Sequence, residues 1–269
     1  MYIIIVSIFL LFLIVIALSK LGNIKLGSDN STPQYSFLSW MSMLFAAGMG
    51  VELMYFEVAE TISHYTNPAI QDTVQRAKDA QLNTFFHWNI HGWAIYRLVG
   101  LVLAYFAYRY KLPLSIRYGF YPLLKDKVNG PIGHVVDVFA LCSTFFGIAT
   151  TLGFGIVQLN TEFDIMGWTS GANFMVQVDI VLVIMATTVA STMSGLDKGT
   201  KKLSEINLEL AVLLMIVVLI LEPTTYILGT FSEGIRYYIN NFVNLTFNTY
   251  TFEESSQEWF SKWTIPYWA

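Results

Sequence analysis

Three aromatic residues lying close together, Trp88, Trp93 and Tyr96, could do the most distinctive chemistry in this sequence. A cation that carries no N–H or O–H cannot be held by hydrogen bonds. Aromatic faces can hold it, each contributing ~0.5–2 kcal/mol. At 100° per residue Trp93 and Tyr96 share a helix face, while Trp88 stands about 140° from Trp93, so the three form no single tight stripe. Aromatics near a helix end also make an interfacial belt, and spacing alone leaves both readings open. His87 and His91 stand at i, i+4, a spacing able to hold a metal. No carboxylate or third ligand is near in sequence, so satisfied membrane histidines are the preferred reading. Arg97 lies one turn into the apolar run, where an ionisable group suggests a function or an arginine that snorkels to the interface.

A second stretch, Met43–Glu60, is apolar enough for a membrane but carries Ala46-Ala47-Gly48-Met49-Gly50 at its centre. Each glycine costs about 1 kcal/mol against alanine in a helix interior. Unwound backbone at bilayer depth is tolerated where it lines a protein cavity, and broken helices of this kind hold substrate and ions in secondary transporters. Small residues also permit a close helix crossing.

These residues need elements to position them, and composition says which. Hydrophobic residues make up 55% of the 269 and charged residues 13%, with a mean hydropathy of +0.53. A soluble domain is thereby excluded in favour of an all-α multi-pass membrane protein in contact with lipid. A net charge of −4 says little about partners when the charge sits in loops; no nucleic acid is expected, and the single cysteine, Cys142, excludes a disulfide framework. Spans of about 20 apolar residues fall near Tyr2–Ser19, Phe37–Ala59, Phe85–Tyr108, Val135–Leu159, Phe174–Ser191 and Leu208–Leu228. The first lacks the basic start and cleavage site of a signal peptide. Ten lysines and arginines lie in one set of loops against four in the other, which places the first set in the cytoplasm of a cell-membrane protein. Beyond Phe231, Ile235, Tyr238, Ile239, Phe242 and Leu245 recur at helical spacing, predicting an amphipathic helix on the outer surface over 231–262. Residues 263–269 read as the opening of a further span.

Gly147, Gly153 and Gly155 suit close packing, and Thr144 offers either packing or a hydroxyl to a hard cation. Ser194–Gly199 is a turn too short for a phosphate-binding loop. No nucleophile–base pair or metal cluster marks an enzyme.

Several of these motifs together resemble the betaine–carnitine–choline transporters. Ser39-Trp40 with Met43–Met54 is similar to the family's glycine-rich third segment, and His87–Tyr96 to its fourth, with aromatic-box residues falling on Trp88, Trp93 and Tyr96. Asn129–His134 through Gln158, Ser194–Ser204 and Pro223-Thr224 resemble it too. The resemblance implies a partial leucine-transporter-like fold: a peripheral helix over 1–20 and a first five-helix inverted repeat over 37–228. It also implies a sequence that stops near the start of the eighth segment. Trp88, Trp93, Tyr96, Gly48, Met49, Gly50 and Glu52 would line the substrate site, and Ala46, Met49 and Thr144 would serve sodium, the coupling ion. No other cofactor is implied, and a homo-oligomer is left open. The implied activity is secondary transport of glycine betaine or a related quaternary ammonium. The alternative is a truncated or decaying copy that transports nothing alone. Departures from the family pattern are Glu52, Glu57 and Glu222 in place of glycine, Arg97 in place of a small residue, Thr61 in place of proline, and Ile148 where sodium-coupled members can carry threonine.

Overall fold

Helix after helix is what so apolar a chain must form, because only internally paired backbone survives in lipid. A computed structural model describes residues 2–48, 50–66, 73–171, 173–252 and 254–268. The helices are α1 (Tyr2–Leu18), α2 (Phe37–Gly48), α3 (Val51–Thr66), α4 (Thr73–Trp88), α5 (Ile90–Ala104) and α6 (Tyr121–Leu124). They continue with α7 (Pro131–Ile165), α8 (Phe174–Met193), α9 (Lys201–Leu221), α10 (Thr224–Phe247), α11 (Glu254–Lys262) and α12 (Thr264–Trp268). Among the described residues four helical stretches are long and apolar enough to cross a membrane: 74–109, α7, α8 and 196–221.

Helix ends follow local chemistry. Pro131 opens α7, where its missing N–H costs nothing. Gly167, at φ +74°, closes it. The Trp168 N–H donates to Phe163 O and the Gly167 N–H to Asp164 O, both at 2.9 Å, the double bond of a Schellman ending. Asn173 caps α8 by accepting from the Met175 N–H at 2.9 Å. The apolar run 208–228 does not continue as one helix. Glu222 is extended, at φ −99° and ψ 167°, because Pro223 disfavours helical backbone in the residue before it. The stretch 231–262 likewise divides between α10 and α11. Within α10, Tyr238 and Leu245 are buried, whereas Ile239 is 64% exposed.

The chain forms two compact units. The first comprises Met1–Ser31, Glu60–Ser143 and Thr230–Ala269. Its core is Ile3, Val6, Leu82, Phe86, Tyr238, Leu245 and Trp268. Ile3, Val6 and Leu10 lie on one stripe of α1 and are buried, while Ile4, Ile5 and Ile8 are exposed. Tyr2 donates its phenol to the Trp268 carbonyl, and Ser7 its hydroxyl to the Thr246 carbonyl. In the loop after α1, Asp29 Oδ1 accepts from Arg109 Nη1 at 2.6 Å, and this bond holds the Asp29 carboxyl below its ordinary range.

The second unit comprises Thr32–Ala59 and Thr144–Gly229. Here α2 packs on α9, and the Ser39 hydroxyl donates to Glu205 Oε1 at 2.6 Å. Tyr55 stacks on Phe154 at 5.5 Å, and Phe56 meets the same ring edge-on at 5.3 Å. Gly199 fits against α8 so closely that a Cβ there would stand 2.1 Å from the Ser191 carbonyl oxygen.

One glycine of the first unit is equally constrained. Asn89, at φ −99° and ψ −139°, divides α4 from α5. Three residues on, a Cβ at Gly92 would lie 2.5 Å from the His87 carbonyl oxygen and 3.3 Å from Trp268 Nε1, the two atoms that hydrogen-bond at 3.1 Å. Gly92→Ala is expected to cost ~1–3 kcal/mol through forced repacking. Gly100→Ala, with nothing within 4 Å of its Cβ, should be neutral or stabilising by up to about 1 kcal/mol. Thermal unfolding of both variants in micelles checks this, and equal responses would contradict the packing described.

Candidate functional site

A carboxylate with no exposed surface, Glu60, sits in the last turns of α3. Removing an ion from water costs several kcal/mol unless hydrogen bonds replace the water, so its partners can be read as a complete set. Glu60 Oε1 faces His64 Nε2 at 3.1 Å and His87 Nδ1 at 2.5 Å. Its other oxygen, Oε2, accepts from the Trp88 indole at 2.7 Å. Both histidines are buried.

The remaining ring nitrogens settle where the protons are. Trp259 Nε1 points at His64 Nδ1 from 3.2 Å, and an indole N–H only donates. His64 Nδ1 therefore accepts, and its proton sits on Nε2, directed at Glu60. His87 Nε2 faces the Thr264 hydroxyl at 2.8 Å, which either gives or takes a proton. Trp259 and Tyr267 also stack on the His87 ring, at 5.6 Å and 20°, and at 5.0 Å and 15°.

Glu60, His64 and His87 offer ligand atoms all within 4.8 Å of one another, so a shared metal ion must be weighed. Two ligands of one tetrahedral zinc stand about 3.3 Å apart, whereas His87 Nδ1 and Glu60 Oε1 are separated by 2.5 Å. A metal on His64 Nε2 would also put the ring proton on Nδ1, facing the Trp259 N–H. Both features fit protons and not an ion. The i, i+4 pair His87 and His91 is not a metal pair either, since the helix divides at Asn89 between them. His91 turns to Tyr238 Oη at 3.3 Å and Thr246 Oγ1 at 2.9 Å.

The residues expected at the substrate site distribute as follows. Trp93 and Tyr96 are brought together on α5, ring centroids 5.8 Å apart, with Tyr96 67% exposed. Trp88 ends α4, spends its N–H on Glu60 and meets Tyr267 edge-on at 5.3 Å. Gly48 closes α2, Gly50 is a bend, and α3 starts at Val51, so the apolar run divides at its glycines. Met49 and the Glu52 side chain lie outside the described residues. Of the expected sodium ligands, Ala46 is half-buried on α2 and Thr144 exposed on α7. The cleft between α7 and α8 is lined by apolar side chains and Gln177, and contains none of these residues. Sequence reading missed Glu60, His64, Trp259 and Thr264. The i, i+4 spacing of Glu60 and His64 was a signal, but nothing local ties either to His87.

Trp259→Phe keeps the ring and removes the donor, leaving His64 Nδ1 buried without a partner. It should cost ~1–3 kcal/mol in thermal unfolding, against less for Trp263→Phe, whose ring touches His64 edge-on at 4.7 Å. Equal losses would remove the N–H from the account.

Comparison with known proteins completes the picture. The betaine/carnitine/choline family transporter description matches residues 1–269. An uncharacterized transporter of Haemophilus influenzae is 51% identical over 269 residues, covering 100% of this chain and 40% of that protein. A glycine betaine transporter of Acinetobacter baylyi is 44% identical over 270 residues, covering 100% and 40%. The osmo-dependent choline transporter BetT2 of the same organism is 42% identical over 270 residues, covering 100% and 39%. The chain thus spans about 40% of the length of these relatives. With a family match from end to end and helices fit to cross a membrane, this all-α membrane protein belongs to the betaine/carnitine/choline transporter family.

Proposed function

We propose that a full-length transporter carrying this sequence moves glycine betaine, choline or a related quaternary-ammonium osmolyte across the cell membrane by secondary active transport. The observation that carries the reading is the Trp93–Tyr96 pair, two π-faces 5.8 Å apart on one helix, in a chain of this family. A trimethylammonium group offers no proton to any acceptor, so rings are its natural receptor. Trp88 contributes a third face at the end of the preceding helix. The proposed fold is leucine-transporter-like, in which inverted repeats enclose the substrate beside broken helices. The division of Met43–Glu60 at Gly48–Gly50 supports that reading. Sodium is the proposed coupling ion, with Ala46, Met49 and Thr144 as candidate ligands. Named relatives include both a choline and a glycine betaine transporter, and Glu52 bears on the choice between them. A carboxylate near the unwound backbone repels the carboxylate of betaine and leaves choline favoured.

Two experiments on the full-length transporter test this. Trp93→Ala should weaken substrate binding about 5- to 30-fold, the equivalent of a lost cation–π face of ~1–2 kcal/mol, while Phe106→Ala should leave it nearly unchanged. Equal losses in a fluorescence titration would remove the aromatic pair. Glu52→Gly should shift uptake from choline toward betaine. An unchanged ratio would mean that this carboxylate does not face the substrate.

A further inference from the structure

The cluster around Glu60 has a property that its structural role does not require. With both histidines neutral it carries one net negative charge. Among the described residues only His64 and His87 form ion pairs with that carboxylate. A buried anion without a counter-charge is costly even when its oxygens are hydrogen-bonded. A proton added at His87 Nε2 converts the cluster into a neutral ion pair, with the imidazolium donating from Nδ1 to Glu60 and from Nε2 to Thr264. The partner of the nitrogen that gains the proton is a hydroxyl, the kind of group that pairs equally with a lone pair and with an N–H. The Thr264 hydroxyl donates to neutral His87 and turns to accept from the protonated ring, so His87 Nε2 has a partner in both states. Two aromatic rings, Trp259 and Tyr267, also stack on His87, and aromatic faces attract a cation.

The partners arrive from one segment. Trp259 of α11, and Thr264, Tyr267 and Trp268 of α12, stack on His87 or hydrogen-bond to it, Trp268 through the His87 carbonyl at 3.1 Å. We propose that Glu60, His64 and His87 form a proton-binding site whose occupancy is coupled to the seating of residues 254–268 on α3 and α4. Coupling of this kind is reciprocal: a proton that is held better when the segment is seated also seats the segment better. The titratable groups facing His87 are Glu60 and His64 from α3 and Tyr267 from α12. His91, facing Tyr238, lies one turn further along the chain. The lone pair of His64 Nδ1 is taken by the Trp259 N–H. The inference rests on this cluster alone and stands or falls separately from the substrate reading.

The test uses the whole 269-residue chain in micelles with 15N-labelled histidine. Only four histidines contribute signals, and His87→Gln assigns the one of interest. As the pH is lowered, the His87 ring should pass from a single N–H form to a doubly protonated one, and backbone hydrogen exchange across 254–268 should slow in step. Glu60→Gln should lower the midpoint by one pH unit or more, a tenfold loss of proton affinity. Tyr267→Leu leaves Glu60 intact and serves if the first variant fails to fold. It should weaken proton binding about two- to fivefold. A His87 ring in one form throughout would overturn the proposal. So would an exchange rate that ignores the titration, or a midpoint unmoved in Tyr267→Leu. Stoichiometric zinc that shifts His64 and His87 together would replace the proton site with a metal site.

Discussion

A carboxylate cannot be left dry, and the first unit is built around satisfying one. Glu60 reaches zero exposure because two imidazoles and an indole converge on it. Those donors are themselves held in place. Trp259 sets the tautomer of His64, Thr264 closes the far side of His87, and Trp268 reaches back to the His87 carbonyl past Gly92. The core of Phe86, Tyr238, Leu245 and Trp268 packs beside this network. Loss of a single donor therefore propagates, since each buried polar atom released carries its own desolvation cost. His91, with Tyr238 and Thr246, extends the same logic one turn along.

The second unit obeys a different constraint. It has few buried side chains, and most apolar residues of α8 and α9 are exposed, as helices that meet lipid or other helices should be. What holds it together is close approach through small residues: Ser39 and Ser42 of α2, Ser204 of α9, and Gly199 under Ser191. Its helices are long because apolar runs of that length satisfy their own backbone. They divide where glycine or proline withdraws that satisfaction, at Gly48–Gly50 and at Glu222-Pro223.

Much of this was legible in the sequence, for identifiable reasons. Apolar length announces membrane helices directly, and the paired glycines mark the division of Met43–Glu60. The i, i+3 relation of Trp93 and Tyr96 is local and therefore predictable from helix geometry. The division at Asn89 was not visible, because neither glycine nor proline stands at that position and the stretch Phe85–Tyr108 reads as one span across it. Trp88 consequently read as part of the same helix as Trp93. The Glu60 cluster was hidden for a stronger reason. Its members are separated by as many as 204 residues, from Glu60 to Thr264, and each has a plausible local role: Glu60 as the end of a span, His87 as a partner for His91, Trp259 as one aromatic on a surface helix. Only tertiary packing turns them into one site. Ile235 and Ile239 mark the limit of periodicity, since both fit the buried stripe of α10 by spacing and both face outward.

The proposed aromatic site would recognise a cation by its charge and not by its shape. The most direct measurement compares choline with 3,3-dimethylbutanol, its uncharged isostere, for binding to a full-length transporter carrying this sequence. The account predicts choline bound at least about tenfold more tightly, the effect of two or more desolvated cation–π contacts at ~0.5–2 kcal/mol each. Equal affinity for the two would show a pocket that reads only apolar volume, and would contradict the account.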